Sequence, residues 1–171
     1  MPPEVNFDPS RLDLSRVVAD QEEILRVNPQ RFEMAQLTAI VHIDLEQHII
    51  AGYKDVRRDE FWVRGHMPDY PLMPGVLMCE AAAQLCAYYM TKGGLMLGDF
   101  IGFGGMENVR FRGTVKPGDR LVLVAKGKDL RPRRSIFAVQ GFVGKMMVFH
   151  ADIIGMPLTM RTPVAKTAVE A

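Results

Sequence analysis

Residues 65–84 constrain this chain more than any other stretch. They run Gly-His-Met-Pro-Asp-Tyr-Pro-Leu-Met-Pro and then, without a break, Gly-Val-Leu-Met-Cys-Glu-Ala-Ala-Ala-Gln. Pro68, Pro71 and Pro74 each fix their own backbone and donate no hydrogen bond, so the first half suits neither a helix nor a central strand. It is a stiff loop that holds His66 in one place. Pro74-Gly75 opens a helix, and Gly93-Gly94 ends it. The helix is apolar on nearly every side, with Val76, Leu77, Met78, Cys79, Ala81, Ala82, Ala83, Leu85, Cys86 and Ala87, and such a helix belongs inside a fold.

Glu80 interrupts that apolar run. A buried carboxylate is costly unless it is paired, hydrogen-bonded or protonated. Gln84, one turn further along the same face, can supply one hydrogen bond. On position alone Glu80 serves equally well as a structural tie or as a working acid, because structural ion pairs perturb carboxylates too.

The remaining chain supplies strands. Leu37 to Ile43 and His48 to Val56 are β-rich around an Asp44–Gln47 turn, and further strands are expected at Val109–Arg112, Arg120–Leu123, Ser135–Val143 and Met146–Gly155. Gly144-Lys145 suits a two-residue hairpin turn. A short helix with an acidic face is expected from Ser15 to Arg26, ending before Pro29. The glycine-rich passage 93–105 fits neither a Walker loop nor a dinucleotide fingerprint, and is expected to be a mobile loop leading into a strand. Residues 1–14 are expected to be loose, and the tail from Arg161 frayed. His42 and His48, on or beside strands, are read as structural.

One long apolar helix among five to seven strands is an α+β pattern, in which an antiparallel sheet curls around the helix to bury it. At 171 residues the whole chain, 1–171, fits a single domain. With 48% hydrophobic and 24% charged residues and a net charge of +1, nothing in the balance argues for nucleic acid. No apolar run reaches membrane-span length, and the start lacks a signal-peptide pattern. Cys79 and Cys86 lie about 10 Å apart along the helix, too far to pair, and are read as buried thiols in a reducing, cytoplasmic compartment.

The central stretch resembles the (3R)-hydroxyacyl-[acyl carrier protein] dehydratases of bacterial fatty acid synthesis. Gly65-His66-Met67-Pro68 corresponds to the family's Gly-His-Phe-Pro, Pro74-Gly75-Val76-Leu77 to its Pro-Gly-Val-Leu, and Glu80-Ala81-Ala82-Ala83-Gln84 to its Glu-Ala-x-Ala-Gln. The fourteen-residue step from His66 to Glu80 is the family's spacing. The run Glu60 to His66, the strand Arg110-Phe111-Arg112 and the turn Pro117-Gly118-Asp119 are also similar. Two departures stand out: Met67 replaces a phenylalanine, and Pro29-Gln30-Arg31-Phe32-Glu33-Met34 stands where the family has Pro-His-Arg-Tyr-Pro-Phe.

The resemblance implies a hotdog fold over roughly residues 20–157 and a dehydratase that uses neither metal nor cofactor. His66 is then the base for the C2 proton, since neutral imidazole is available near pH 7. Glu80, with its pKa pushed upward by burial, is the acid for the departing hydroxyl. The free N–H groups of Gly75 and Val76, behind Pro74 at the helix N-terminus, are expected to receive the thioester carbonyl, and the glycine to let substrate approach. Gln84 is the expected support for Glu80. Family practice pairs the histidine of one subunit with the glutamate of its partner, so a homodimer is implied, with a trimer of dimers as a further step.

An apolar tunnel gated by Phe100 or Phe103 is expected for the acyl chain. The acidic acyl carrier protein is the implied partner, docking on Arg110, Arg112 and Lys116 or on Arg131, Arg133 and Arg134. A fatty acid or lipid A role, a hotdog thioesterase, a relative that also isomerises the double bond, and a non-catalytic acyl-binding paralogue stay open at this point. The histidine counts against the thioesterase. Glu80, where an isomerising relative has aspartate, counts against the isomerase.

Overall fold

The computed structural model describes residues 3–160. Its elements run α1 (Gln21–Val27), β1 (Ala39–Asp44), β2 (Ile49–Asp55), α2 (Gly75–Lys92), β3 (Phe100–Phe111), β4 (Arg120–Arg131), β5 (Arg134–Val143) and β6 (Met146–Leu158). The six strands form one antiparallel sheet in the order β1-β2-β4-β5-β6-β3. This α+β sheet wraps the long helix α2, and β1 and β3 are its edges.

Alternation along the strands divides the burial between two faces. Ile40, Ile50, Leu121, Leu123, Ala125, Phe137, Val139, Phe149, Ala151 and Ile153 face inward and share a core with Leu77, Leu85, Tyr88 and Tyr89 of α2. Ala39, Val41, Ile49, Ala51, Tyr53, Val122, Val124 and Phe142 face outward and form a second buried cluster.

That second cluster corrects the expectation that residues 1–14 are loose. From Pro3 onward the N-terminal segment lies across the outer face, with Phe7, Leu12 and Leu14 packed on the outward cluster. Asn6 donates its backbone N–H to Gln140 Oε1 at 2.8 Å and its side-chain amide to the Ala138 carbonyl at 3.1 Å, while Gln140 Nε2 donates to the Glu4 carbonyl at 2.7 Å. Phe7 stacks on His42 with ring centroids 5.3 Å apart. The tail from residue 161 lies outside the described residues.

The short helix begins later than Ser15. Ala19 forms a bridge with Ile40, and Asp20 caps the helix by accepting the Glu23 N–H at 2.9 Å, so residues 15–19 are held in extended and turn conformations. The turn after β1 is fixed by Asp44, whose Oδ1 accepts the N–H groups of Glu46 and Gln47. The glycine-rich passage is also corrected: from Phe100 it is strand rather than mobile loop, paired with β6 from Phe100↔Leu158 to Phe103↔Gly155. Leu158 and Met156 lie directly over Gly102 and Gly104, where any side chain would collide with them. β5 and β6 turn at Gly144-Lys145, with Gly144 at φ 57°. Among the described residues no helix is long and apolar enough to cross a membrane.

Candidate active site

The loop that carries His66 is anchored at both ends. Lys54 of β2 reaches Glu60, Nζ to Oε1 at 2.8 Å, with both side chains buried. Val63 N–H then donates to the Glu60 carbonyl, and His66 N–H to the carbonyl of the buried Trp62. His66 and Leu72 are joined twice: Leu72 N–H donates to the His66 carbonyl at 2.8 Å, and His66 Nδ1 lies 2.8 Å from the Leu72 carbonyl oxygen. A carbonyl oxygen only accepts, so Nδ1 carries the proton and Nε2 presents a lone pair. The half-buried imidazole is thereby set as a base by its tautomer.

α2 begins immediately after this loop. Leu77 and Met78 N–H both return to the Pro74 carbonyl, and the Gly75 and Val76 N–H groups have no partner among the described residues. Two free amides and the positive end of an 18-residue helix therefore point the same way. Gly75 faces an aromatic ring: a Cβ built there would sit 2.6 Å from Phe111 Cζ. This gives the glycine a second reason, close packing of Phe111 on the helix start, which sequence reasoning did not supply.

Glu80 is only half-buried in the single chain, where the apolar run implied full burial. Gln84 Nε2 donates to Glu80 Oε1 at 2.7 Å and to the Met34 carbonyl at 2.6 Å, while Gln84 Oε1 accepts the Gln36 N–H at 2.9 Å. Asn28 Nδ2 adds a bond to the Gln84 carbonyl at 2.9 Å. One buried amide thus fixes the carboxylate and ties residues 28–36, which contain the altered segment 29–34, to α2. Glu80 opens into a narrow pocket of about 30 Å³, walled by Ala83, Cys86, Ile101, Phe103 and Ile154 with Gln30 at its side. Phe103 borders the pocket and Phe100 does not. His66 does not border it, and among the described residues no hydrogen bond or ion pair joins His66 to Glu80.

The two basic groups differ in setting. Arg131 and Arg134 both pair with Asp129, at 2.8 and 3.0 Å, and those bonds, Arg134's foremost, hold the Asp129 carboxyl below its ordinary range. Arg133 is exposed at the same hairpin tip. Lys116, by contrast, donates to Tyr70 Oη at 2.6 Å and lies 4.3 Å from that ring's centre, in the loop that follows His66. Arg110 is exposed on β3, and Arg112 Nε lies 3.2 Å from His150 Nδ1. Burial pushes the Cys79 thiol up to about 11 and raises that of Cys86 as well, which suits packing rather than nucleophilic attack. His48 bonds Tyr89 Oη through Nδ1 at 2.9 Å. Among the described residues no three His, Cys, Asp or Glu side chains converge as a metal site.

Residues 28–152 match the FabA-like domain family. A 3-hydroxyacyl-[acyl-carrier-protein] dehydratase from Hydrogenobaculum sp. (strain Y04AAS1) is 40% identical over 137 residues, covering 79% of this chain and 92% of that protein. One of the same name from Clostridioides difficile (strain 630) is 31% identical over 133 residues, covering 78% and 93%. Among solved structures, a dehydratase heterocomplex from Xenorhabdus doucetiae superposes with a TM-score of 0.68 at 13% identity, covering 80% of this chain and 91% of that one. At that identity the superposition speaks for the hotdog fold alone.

Proposed function

The chain belongs to the FabA-like family, and from that premise we propose that it eliminates water from (3R)-3-hydroxyacyl thioesters of acyl carrier protein, as a hydro-lyase of fatty acid biosynthesis. The observation that carries this reading is the His66–Leu72 bond. It leaves Nε2 as the free base of a loop histidine fourteen residues ahead of a carboxylate that is itself held by Gln84.

In this reading Nε2 of His66 takes the C2 proton while Glu80, in its acid form, protonates the C3 hydroxyl, and the C3–O bond breaks. The negative charge that grows on the thioester carbonyl is met by the free N–H groups of Gly75 and Val76, reinforced by the helix dipole. The acyl chain follows the wall past Phe103, which makes Phe103 a better gate than Phe100.

Because His66 and the Glu80 pocket are separate within one chain, the working site is assembled in a homodimer, each site taking His66 from one subunit and Glu80 from the other. The edge strand β3 suits such pairing. It is 12 residues long, one side of it is unpaired, and Phe103, Met106 and Phe111 are exposed along it. A trimer of such dimers is the next step of assembly in this reading. The acidic carrier docks on Lys116, Arg110 and Arg112 rather than on the hairpin cations. Lys116 lies on Tyr70, and Phe111, between Arg110 and Arg112 in the chain, packs on the helix start, whereas Arg131 and Arg134 are both engaged by Asp129 at the hairpin tip. A cytoplasmic location accords with a carrier-bound substrate and with two unpaired thiols.

The test is turnover of 3-hydroxybutyryl- and crotonyl-carrier protein, followed by enoyl absorbance, for wild type, His66→Ala and Glu80→Gln. Each variant is expected to lose roughly 10²–10⁴-fold in kcat, the usual contribution of a positioned acid or base. A folded wild type that turns over no chain length would overturn the dehydratase reading.

A further inference from the structure

Among the described residues three lysines end on carboxylates: Lys54 on Glu60, Lys92 on Glu23 and Lys128 on Asp152. A fourth, Lys116, ends on a phenol. Its Nζ donates to Tyr70 Oη at 2.6 Å and lies 4.3 Å from the centre of that ring, and among the described residues no carboxylate pairs with it. A cation fixed by a neutral partner keeps its whole charge, whereas a carboxylate partner cancels it. An ammonium has three hydrogens and a phenol one. The bond to Tyr70 uses one of the three, and because Tyr70 Oη is the acceptor there, its own hydrogen stays free to donate. Tyr70 is exposed and Lys116 half-buried, so a ligand can reach both. Three donor hydrogens and one uncancelled positive charge therefore meet at one accessible place.

The backbone fixes where that place is. Met73 N–H donates to the carbonyl of the buried Val115 at 2.8 Å, which joins the loop of His66 to the turn that carries Lys116. Asp119 Oδ2 accepts the Lys116 N–H at 2.8 Å, so the carboxylate of this turn is engaged on the backbone and not on the ammonium. Met67 and Tyr70 exchange backbone bonds at 3.3 and 3.2 Å, inside the span that the two His66–Leu72 bonds close. Tyr70, Lys116 and the base are thus parts of one braced unit, and Met73 and Pro74 lead from it into the free amides of Gly75 and Val76. A lysine so placed, with a hydroxyl beside it, suits a compact anion with several oxygens, and a phosphate ester is such an anion.

We propose that Lys116 Nζ and Tyr70 Oη bind the phosphate through which the pantetheine arm of the substrate is attached to its carrier. This rests on the dehydratase reading above, in which the acyl group arrives as a thioester at the other end of that arm. The pair then distinguishes a phosphorylated arm from a bare one. It holds one end of a flexible tether on the same loop as the base, which reduces the freedom that the thioester must lose before it meets His66 and the Gly75 and Val76 amides. Within the docking patch this gives Lys116 to the arm and leaves Arg110 and Arg112 to the acidic side chains of the carrier.

Ligands that differ only in the phosphate test this without turnover. Affinities for butyryl-pantetheine and butyryl-phosphopantetheine are measured by calorimetry at one low ionic strength, where an exposed charge is least screened. Wild type should favour the phosphorylated ligand about tenfold, the low end for hydrogen bonds to a charged group. Lys116→Met should bring that ratio within about twofold of one, and Tyr70→Phe, which loses a single donor, should lower it about threefold. Lys116→Arg, which keeps the charge, should retain most of it. A wild-type ratio near one, or variants that weaken both ligands equally, would overturn the proposal. Butyryl-carrier protein should lose affinity in Lys116→Met as the phosphorylated arm does. An unchanged affinity for it, beside a loss for butyryl-coenzyme A, would overturn the assignment to the carrier's arm. A phosphate preference in a protein whose wild type performs no dehydration would leave the phosphate contact standing and remove the dehydratase reading instead.

Discussion

Lys54 Nζ lies 2.8 Å from Glu60 Oε1, and with side chains only 6% and 9% exposed the two charges are out of water together. Lys54 stands on the inward-facing parity of β2, with Ile50, while Glu60 opens the loop that ends at His66. This pair fixes the loop to the sheet at a point six residues before the base. Removing one partner strands the other charge, so Glu60→Gln should destabilise the protein by about 3–5 kcal/mol. A joint Lys54→Met, Glu60→Leu exchange should restore much of that stability. Urea unfolding of wild type and the two variants provides the measurement, and equal stability of the single and double variants would contradict it.

A site divided between subunits makes a prediction about mixtures. His66→Ala and Glu80→Gln chains, each inactive alone, should regain activity when co-expressed. A mixed dimer holds one site with both substitutions and one with neither, so its activity should be about half that of wild type. Isolation of the mixed dimer through two different affinity tags, followed by an assay, tests this. An inactive mixed dimer would mean that each site draws both residues from one chain.

Gly75 is pressed against Phe111, so a methyl group there must push the ring aside. The ring is half exposed and has room to swing, which limits the stability cost of Gly75→Ala to about 1 kcal/mol, the low end for overpacking. Activity should fall further than stability, since the displaced ring lies at the two free amides. Adding Phe111→Leu should recover turnover if ring displacement is the cause. Thermal melts and kcat/KM for the single and double variants separate the two effects.

His150 offers a pH test away from the site. Burial, then Arg112 and Arg110, lower its pKa below the ordinary value. The unfolded chain therefore binds the proton more readily than the folded one, and stability rises with pH across the interval between the two values. The expected loss sets in as pH falls through about 6.5, the unfolded histidine value, and is complete below the folded one. Unfolding free energies from pH 5 to 8 should show this slope, and His150→Gln should flatten it.

How legible each part was follows from the range of the forces involved. Both ends of α2 were readable because Pro74 and Gly93 act locally, and so was the β5–β6 turn at Gly144. The Glu80–Gln84 bond was readable from helical spacing. The start of α1 was misplaced because residues 15–19 are committed elsewhere by the Ala19–Ile40 bridge, a contact across 21 residues. The glycine-rich passage looked like loop because glycine is a poor strand former. What overrides that preference is β6, whose Met156 and Leu158 fill the space the glycines leave. Lys54 carried a signal that was overlooked: a lysine on the inward parity of a strand demands a carboxylate. For Gln30 the sequence showed a departure, and only the three-dimensional arrangement showed that the residue borders the pocket into which Glu80 opens.

The bonds from Asn6 to Ala138 and Gln140 span 132 and 134 residues. On the ribosome, residues 4–14 emerge long before β5, so Phe7, Leu12 and Leu14 have no sheet to cover until most of the chain has been made. Chains are elongated at roughly 5–20 residues per second, so this apolar segment spends several seconds in need of a holding chaperone or a transient partner. The order of synthesis makes residues 4–14 wait for partners that lie more than a hundred residues further along the chain.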